Sequence, residues 1–152
     1  MPLNDDSAIA ALLRTAPRIA MVGASAKPER PSYRVMRFLL DHGYTVIPVN
    51  PGLAGQAIHG QTVVADLSDI NPPVDIVDIF RASDQAGAAV DAAIAHGARA
   101  VWLQLGVIDV GAVTRAESAG LTAVMDRCIK IEIARLGIAR LGFDRPDQAT
   151  TT

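Results

Sequence analysis

The stretch from Gly23 to Ser32, Gly-Ala-Ser-Ala-Lys-Pro-Glu-Arg-Pro-Ser, carries the densest chemistry in the chain. It follows an apolar run, Ile19 to Val22, that reads as a buried strand. A glycine at a strand end lets the backbone turn sharply and come close to a ligand. The N–H groups of Ala24, Ser25 and Ala26 can then face an anion, with the Ser25 hydroxyl as a further donor. Lys27 and Arg30 share the loop, and Arg34 and Arg37 follow in the next helix. Residues 27–37 thus hold four cations against one acid, Glu29, a local +3 in a chain whose net charge is −2. A solvated basic face would explain Arg34 and Arg37. It would not explain Gly23, Ser25, Lys27 and Arg30 gathered in one loop.

This loop is a phosphate grip, but not the Gly-x-Gly-x-x-Gly turn of dinucleotide sites, because Pro28 and Pro31 interrupt it. An NAD site also wants a carboxylate at the end of the second strand, for the ribose hydroxyls. That place holds Val49-Asn50-Pro51. A missing carboxylate with Lys and Arg nearby favours a nucleotide bearing an extra ribose phosphate. NADP and coenzyme A (CoA) both qualify.

Other reactive side chains have plainer readings. His42 and His96 fall at helix C-termini, where a partly positive ring meets the helix dipole, and His59 falls in a loop. Cys128 reads as a structural cysteine, or as a thiol activated by a helix start and Arg127 that could pair with the CoA thiol. Asp126 reads as the cap of that helix, and Glu132 as part of a solvated or ion-paired face. Asp75 and Asp78 point to opposite faces of one strand and make no catalytic pair. Trp102 belongs in the core, while Gln104, on the same face, sits near the ligand edge. No Cys/His spacing suits a metal, and no basic–aromatic interleaving suits nucleic acid.

The elements that position the loop follow from periodicity. Helices are expected at Asp6–Thr15, from Ser32 (as cap) to Gly43, from Ser83 (as cap) to about His96, Asp109–Gly120 and Arg127–Leu136. Strands are expected at Arg18–Gly23, Thr45–Val49, Val74–Phe80, Ala100–Leu105 and Thr122–Met125, with a short edge strand at Thr62–Ala65. Alternating strands and helices imply βαβ units. The expected fold is therefore α/β: a Rossmann-like, doubly wound, mostly parallel sheet of five to six strands with helices on both faces. Ligands of such sheets sit beyond the carboxyl ends of the strands.

The totals agree. Half of the 152 residues are hydrophobic and 4% are aromatic, so the core must be built from Val, Ile, Leu and Ala. Residues 1–142 read as one domain and residues 143–152 as a flexible tail. A single cysteine, an acidic N-terminus and the lack of a long apolar run suit a cytoplasmic protein without membrane attachment.

Several segments in this order resemble the small stand-alone CoA-binding-domain proteins, related to the CoA-binding domain of the succinyl-CoA synthetase α-subunit. They are Val22–Tyr33, His42–Pro51, Val74–Arg81, Gly97–Gly106 and Val124–Glu132. The resemblance implies CoA in the crevice at the strand ends. Gly23, Ala24, Ser25 and Lys27 would line the pyrophosphate side, with Arg30 or Arg34 on the ribose phosphate. Asn50 and Pro51 would lie near the adenosine half. Phe80, Arg81, Ala82, Leu105 and Gly106 would flank the cofactor. The synthetase relative works through a phosphorylated histidine in a second domain that this chain does not carry. The implied role is a non-catalytic binding or regulatory module for CoA or an acyl-CoA, which leaves room for a protein partner. An enzyme using NADP or an acyl-CoA, as reductase or acyltransferase, is the alternative.

Overall fold

Short Val/Ile/Ala-rich runs separated by amphipathic segments fold here into strands buried on both faces. The structure, a computed structural model, describes residues 1–142, and the expected tail at 143–152 lies outside the described residues. In chain order the elements are α1 (Asp6–Thr15), β1 (Arg18–Val22), α2 (Pro31–Asp41), β2 (Thr45–Val49), β3 (Ala57–Ile58), β4 (Gln61–Thr62), β5 (Ile76–Ile79), α3 (Ser83–His96), β6 (Ala100–Leu103), α4 (Val110–Ser118), β7 (Thr122–Val124) and α5 (Ile129–Arg135). Five strands form one parallel sheet in the order β2-β1-β5-β6-β7. The expected doubly wound α/β fold is therefore present.

Period-two alternation sorts the strand side chains into two cores. On one face Ile19, Met21, Val46, Ile76 and Trp102 pack under α1, α2 and α5. On the other, Ala20, Val49, Val77, Ile79 and Leu103 pack under α3 and α4. The chain leaves β1 toward β2 and later returns to β1's other side as β5. The order of the main strands thus reverses between β1 and β5, which makes the crevice above them the expected ligand position.

Two local expectations are corrected. The edge strand at Thr62–Ala65 is instead divided: Ile58 and Gln61 pair across a tight hairpin, and Val64 reaches the main sheet only by one parallel bridge to Val49. His59 and Gly60, with φ of 49° and 79°, both adopt the positive φ that such a two-residue turn demands. Helix α2 begins at Pro31, with Arg30 as its N-cap and no capping side chain. Proline is pre-organised for the first helical position, so the helix starts before Ser32 could cap it. Ser32 is buried and its hydroxyl accepts from the Ser25 N–H at 3.1 Å.

Gly23 decides how closely the first loop approaches the sheet. Its φ is +86°, and a Cβ there would sit 2.3 Å from the Phe80 carbonyl oxygen. Its N–H donates to Val49 O at 3.0 Å, while Phe80 N–H donates to Val22 O at 2.8 Å. One glycine therefore lies where the ends of β1, β2 and β5 converge. Gly23→Ala should cost about 2–4 kcal/mol of folding free energy, from left-handed strain plus a backbone clash that no side-chain motion relieves. Chemical denaturation checks this, and a loss below ~0.5 kcal/mol would show that the strand ends can move apart.

Candidate functional site

A cleft of about 830 Å³ opens at the carboxyl ends of the strands. From the first loop come Gly23, Ala24, Ser25, Ala26, Lys27 and Arg30. The N-terminal turn of α2 adds Pro31, Ser32 and Val35. Asn50, Gly52 and Leu53 enter after β2, and Phe80 and Arg81 after β5. Gln104, Leu105 and Val107 enter after β6, and Cys128 and Ile131 close the far end at α5. The cleft thus runs over the ends of β2, β1, β5 and β6 to α5.

Internal hydrogen bonds set the shape of the first loop. The Ser25 N–H is held by Ser32 Oγ, and Ser25 Oγ accepts from the Lys27 N–H at 3.1 Å. One donor expected to meet an anion is therefore already committed, the Ser25 N–H; the Ser25 hydroxyl accepts from Lys27 and keeps its own proton to donate. The N–H groups of Ala24 and Ala26 have no protein acceptor among the described residues. They remain available together with the uncapped start of α2, whose dipole favours an anion. Asn50 ties two loops together: its Nδ2 donates to Ala24 O at 2.8 Å and its Oδ1 accepts from the Gly52 N–H at 2.9 Å. Lys27, Arg30 and Arg81 give the lining three positive charges, and no carboxylate lines the cleft among the described residues.

Of the thirteen residues that the resemblance assigns to CoA, nine share this lining: Gly23, Ala24, Ser25, Lys27, Arg30, Asn50, Phe80, Arg81 and Leu105. Four stand outside it. Arg34 donates to the Glu29 carbonyl at 3.0 Å and braces the loop. Pro51 faces a separate depression near Asp84 and Ala88. Ala82 is the N-cap of α3. Gly106 donates its N–H to Asp126 Oδ1 at 2.7 Å. Ile131 was not singled out. Its signal was an isoleucine left on the polar side of a helix whose core face is already supplied by Ile129 and Ile133.

Asp126 does not cap α5. Its backbone is left-handed, with φ of 59°, and its carboxylate holds the loop after β6, while Cys128 occupies the N-cap without a side-chain bond. Glu132 is ion-paired as expected but buried, not solvated. It accepts from Arg127, and from Arg135 at 2.6 Å. Burial works to raise its pKa, yet the hydrogen bonds from Arg135 and Arg127 hold it below the usual range.

The histidines lie away from the cleft. His42 Nε2 donates to Ile138 O at 2.7 Å and His59 Nε2 to Tyr33 O at 2.9 Å. His96 Nε2 accepts from the Val74 N–H at 3.0 Å, so its ring is neutral, and burial and then the Arg18 charge pull its pKa down. The expected positive ring at this helix end is corrected: a backbone donor occupies the nitrogen that would be protonated.

Comparison with known proteins agrees with this architecture. The family model described as "CoA binding domain" matches residues 17–134. The Bacillus subtilis protein YneT, described as uncharacterized, is 37% identical over 120 residues, 79% of this chain and 87% of that protein. A solved structure of a Pyrococcus horikoshii hypothetical protein superposes with a TM-score of 0.83 at 37% identity, covering 90% of this chain and 96% of that one. A dinucleotide-forming acetyl-coenzyme A synthetase of Ca. Korarchaeum cryptofilum shares the fold alone, at 24% identity and a TM-score of 0.65 over 75% of this chain and 27% of that one.

Beneath the cleft, Asp78 is fully buried in the middle of β5. Gln104 Nε2 donates to its Oδ1, and its Oδ2 has no partner. Burial pushes the Asp78 pKa up to about 8, and the Gln104 bond offsets only part of that rise. The folded chain therefore keeps a proton that the unfolded chain releases near 3.8. The stability that this proton supports is full below the unfolded pKa and is lost as pH rises through the folded one, at up to about 1.4 kcal/mol per pH unit. Asp78→Asn preserves shape and neutrality. Between about pH 5 and pH 8 its denaturation free energy should gain steadily on that of the unaltered protein; parallel curves would show that Asp78 is ionised in the fold.

Proposed function

The chain belongs to the CoA-binding-domain family, and from that premise we propose that the cleft binds coenzyme A, as a non-catalytic binding or regulatory module. The carrying observation is the pairing of three cations with an acid-free lining that runs over the ends of four strands to α5. CoA bears a diphosphate, a ribose phosphate and a long, mostly neutral pantetheine arm. The donor set suits the first two. Ala24 and Ala26 N–H groups, the start of α2 and Lys27 suit the diphosphate, and Arg30 is near enough in the same loop to take the ribose phosphate. The remainder suits the third. Phe80, Leu105 and Val107 offer apolar surface, and Gln104 offers an amide.

In this reading adenosine lies toward Asn50, Gly52 and Leu53, and the arm runs across β5 and β6 toward Cys128. Pro51, Ala82, Gly106 and Arg34 support the cleft from behind. The binding role draws support from the lining itself: it contains no histidine or carboxylate to act as acid or base, among the described residues. No helix among the described residues is long and apolar enough to cross a membrane.

Calorimetric titration with CoA, 3′-dephospho-CoA, NADP and NAD tests the reading. CoA should bind most tightly, dephospho-CoA about tenfold more weakly, and both pyridine nucleotides more weakly still. A single charge-assisted contact to phosphate makes a difference of this order. NADP binding more tightly than CoA would overturn the assignment. Lys27→Ala should weaken CoA about 5–20-fold, and unchanged affinity would remove Lys27 from the phosphate site.

A further inference from the structure

A second cavity, of about 510 Å³, adjoins the thiol end of the proposed CoA cleft. The two share Leu105, Cys128 and Ile131 as a common border. Beyond that border the second cavity is walled by the N-terminal segment around Leu3, by Met125, and by the charged side chains of Asp126, Arg127 and Glu132. Its size falls within the range of small-ligand pockets.

Three observations say what would fill it. First, Leu105 and Ile131 are 65% and 54% exposed, rare for large apolar side chains in this fold, and both stand on the border. Second, the cations of this lining are already paired within the protein: the Met1 ammonium meets Glu117 at 2.7 Å, and Arg127 meets Glu132. Arg127 donates to Glu132 and to Asn4, and Asp126 accepts from Gly106. A ligand therefore finds no unpaired cation in this lining, and its apolar contacts come from Leu3, Leu105, Met125 and Ile131. Third, the strand order fixes the direction of entry. With phosphates held at β1 and adenosine at β2, the far end of the ligand arrives at β6 and β7, where the border lies.

We propose that this second cavity receives the acyl chain of a CoA thioester, so that the protein discriminates acyl-CoA from free CoA. The class is an unbranched, uncharged acyl group of butanoyl to octanoyl length. A dicarboxylic acyl group is disfavoured, because the cations of this lining are already paired with Glu117 and Glu132, and Asp126 adds a further negative charge. The proposal rests on the CoA reading of the main cleft and adds the identity of what CoA carries.

The test is calorimetric titration of the full chain with CoA, acetyl-CoA, butanoyl-CoA, octanoyl-CoA and succinyl-CoA. Affinity should rise from acetyl to octanoyl by up to about fourfold per methylene buried, and succinyl-CoA should bind more weakly than butanoyl-CoA. Leu3→Gln and Ile131→Gln should each reduce the ratio of octanoyl-CoA to CoA affinity at least threefold. Circular dichroism confirms that both variants are folded, and the ratio cancels any general loss of binding. Binding of CoA and octanoyl-CoA with equal affinity overturns the acyl site and leaves the CoA cleft standing. No binding of any thioester or of CoA overturns both. A ratio that rises with chain length but is unchanged in both variants places the chain elsewhere, which also overturns the proposal.

Discussion

Everything at the ligand-facing edge depends on the contact between Gly23 and the Phe80 carbonyl. No side chain can occupy the 2.3 Å gap, so the turn after β1 can lie directly against the end of β5. That approach lowers the first loop onto the sheet and aims its backbone across the switch in strand order. The same residue hydrogen-bonds to Val49 at the end of β2. Asn50, next along the chain, then reaches back to Ala24. The loop, β2 and β5 are thus held as one unit before any ligand arrives, which limits the ordering cost of binding.

Charge is placed on this frame with some economy. The protein is mildly acidic overall, yet three cations and no acid line the cleft. Of the acids near the far end, Glu132 is buried between two arginines, while Asp126 is exposed and holds the Gly106 N–H. Arg135 also grips Asp6 at 2.8 Å, so α1 and α5 are clamped together beside the cleft. Asp78 is the exception, a carboxyl kept neutral by burial with one oxygen unmatched. The result is an anion-attracting end near β1 and a neutral, apolar end near α5.

Most of the fold was legible in the sequence. The spans of α1 and β2 follow directly from periodicity and from flanking glycines and prolines, while α3 starts one residue earlier than expected, with Ala82 and not Ser83 as its cap. Of the site, the first loop was legible because its chemistry is contiguous. Other parts were not, for definite reasons. Proline's preference for the first helical turn freed Ser32 to hold Ser25, and no local pattern marks that bond. Asp126 was assigned to the nearer helix, but a left-handed backbone turned it toward Gly106, twenty residues away. The position of Pro51 behind the cleft follows from the turn after β2, where Asn50 caps the next residues. Ile131 reaches the cleft through the tertiary placement of α5, which helical spacing alone does not give.

The central claim is that one extended ligand lies across the strand ends with its phosphates at the Gly23 loop and its thiol end at α5. A crystal structure of the complex with CoA tests it most directly. The diphosphate should lie within hydrogen-bond distance of the Ala24 and Ala26 N–H groups, and the sulfur should lie beside Cys128 and Ile131. A diphosphate bound away from the Gly23 loop, or an arm running toward β2 with the sulfur near Leu53, would contradict the account.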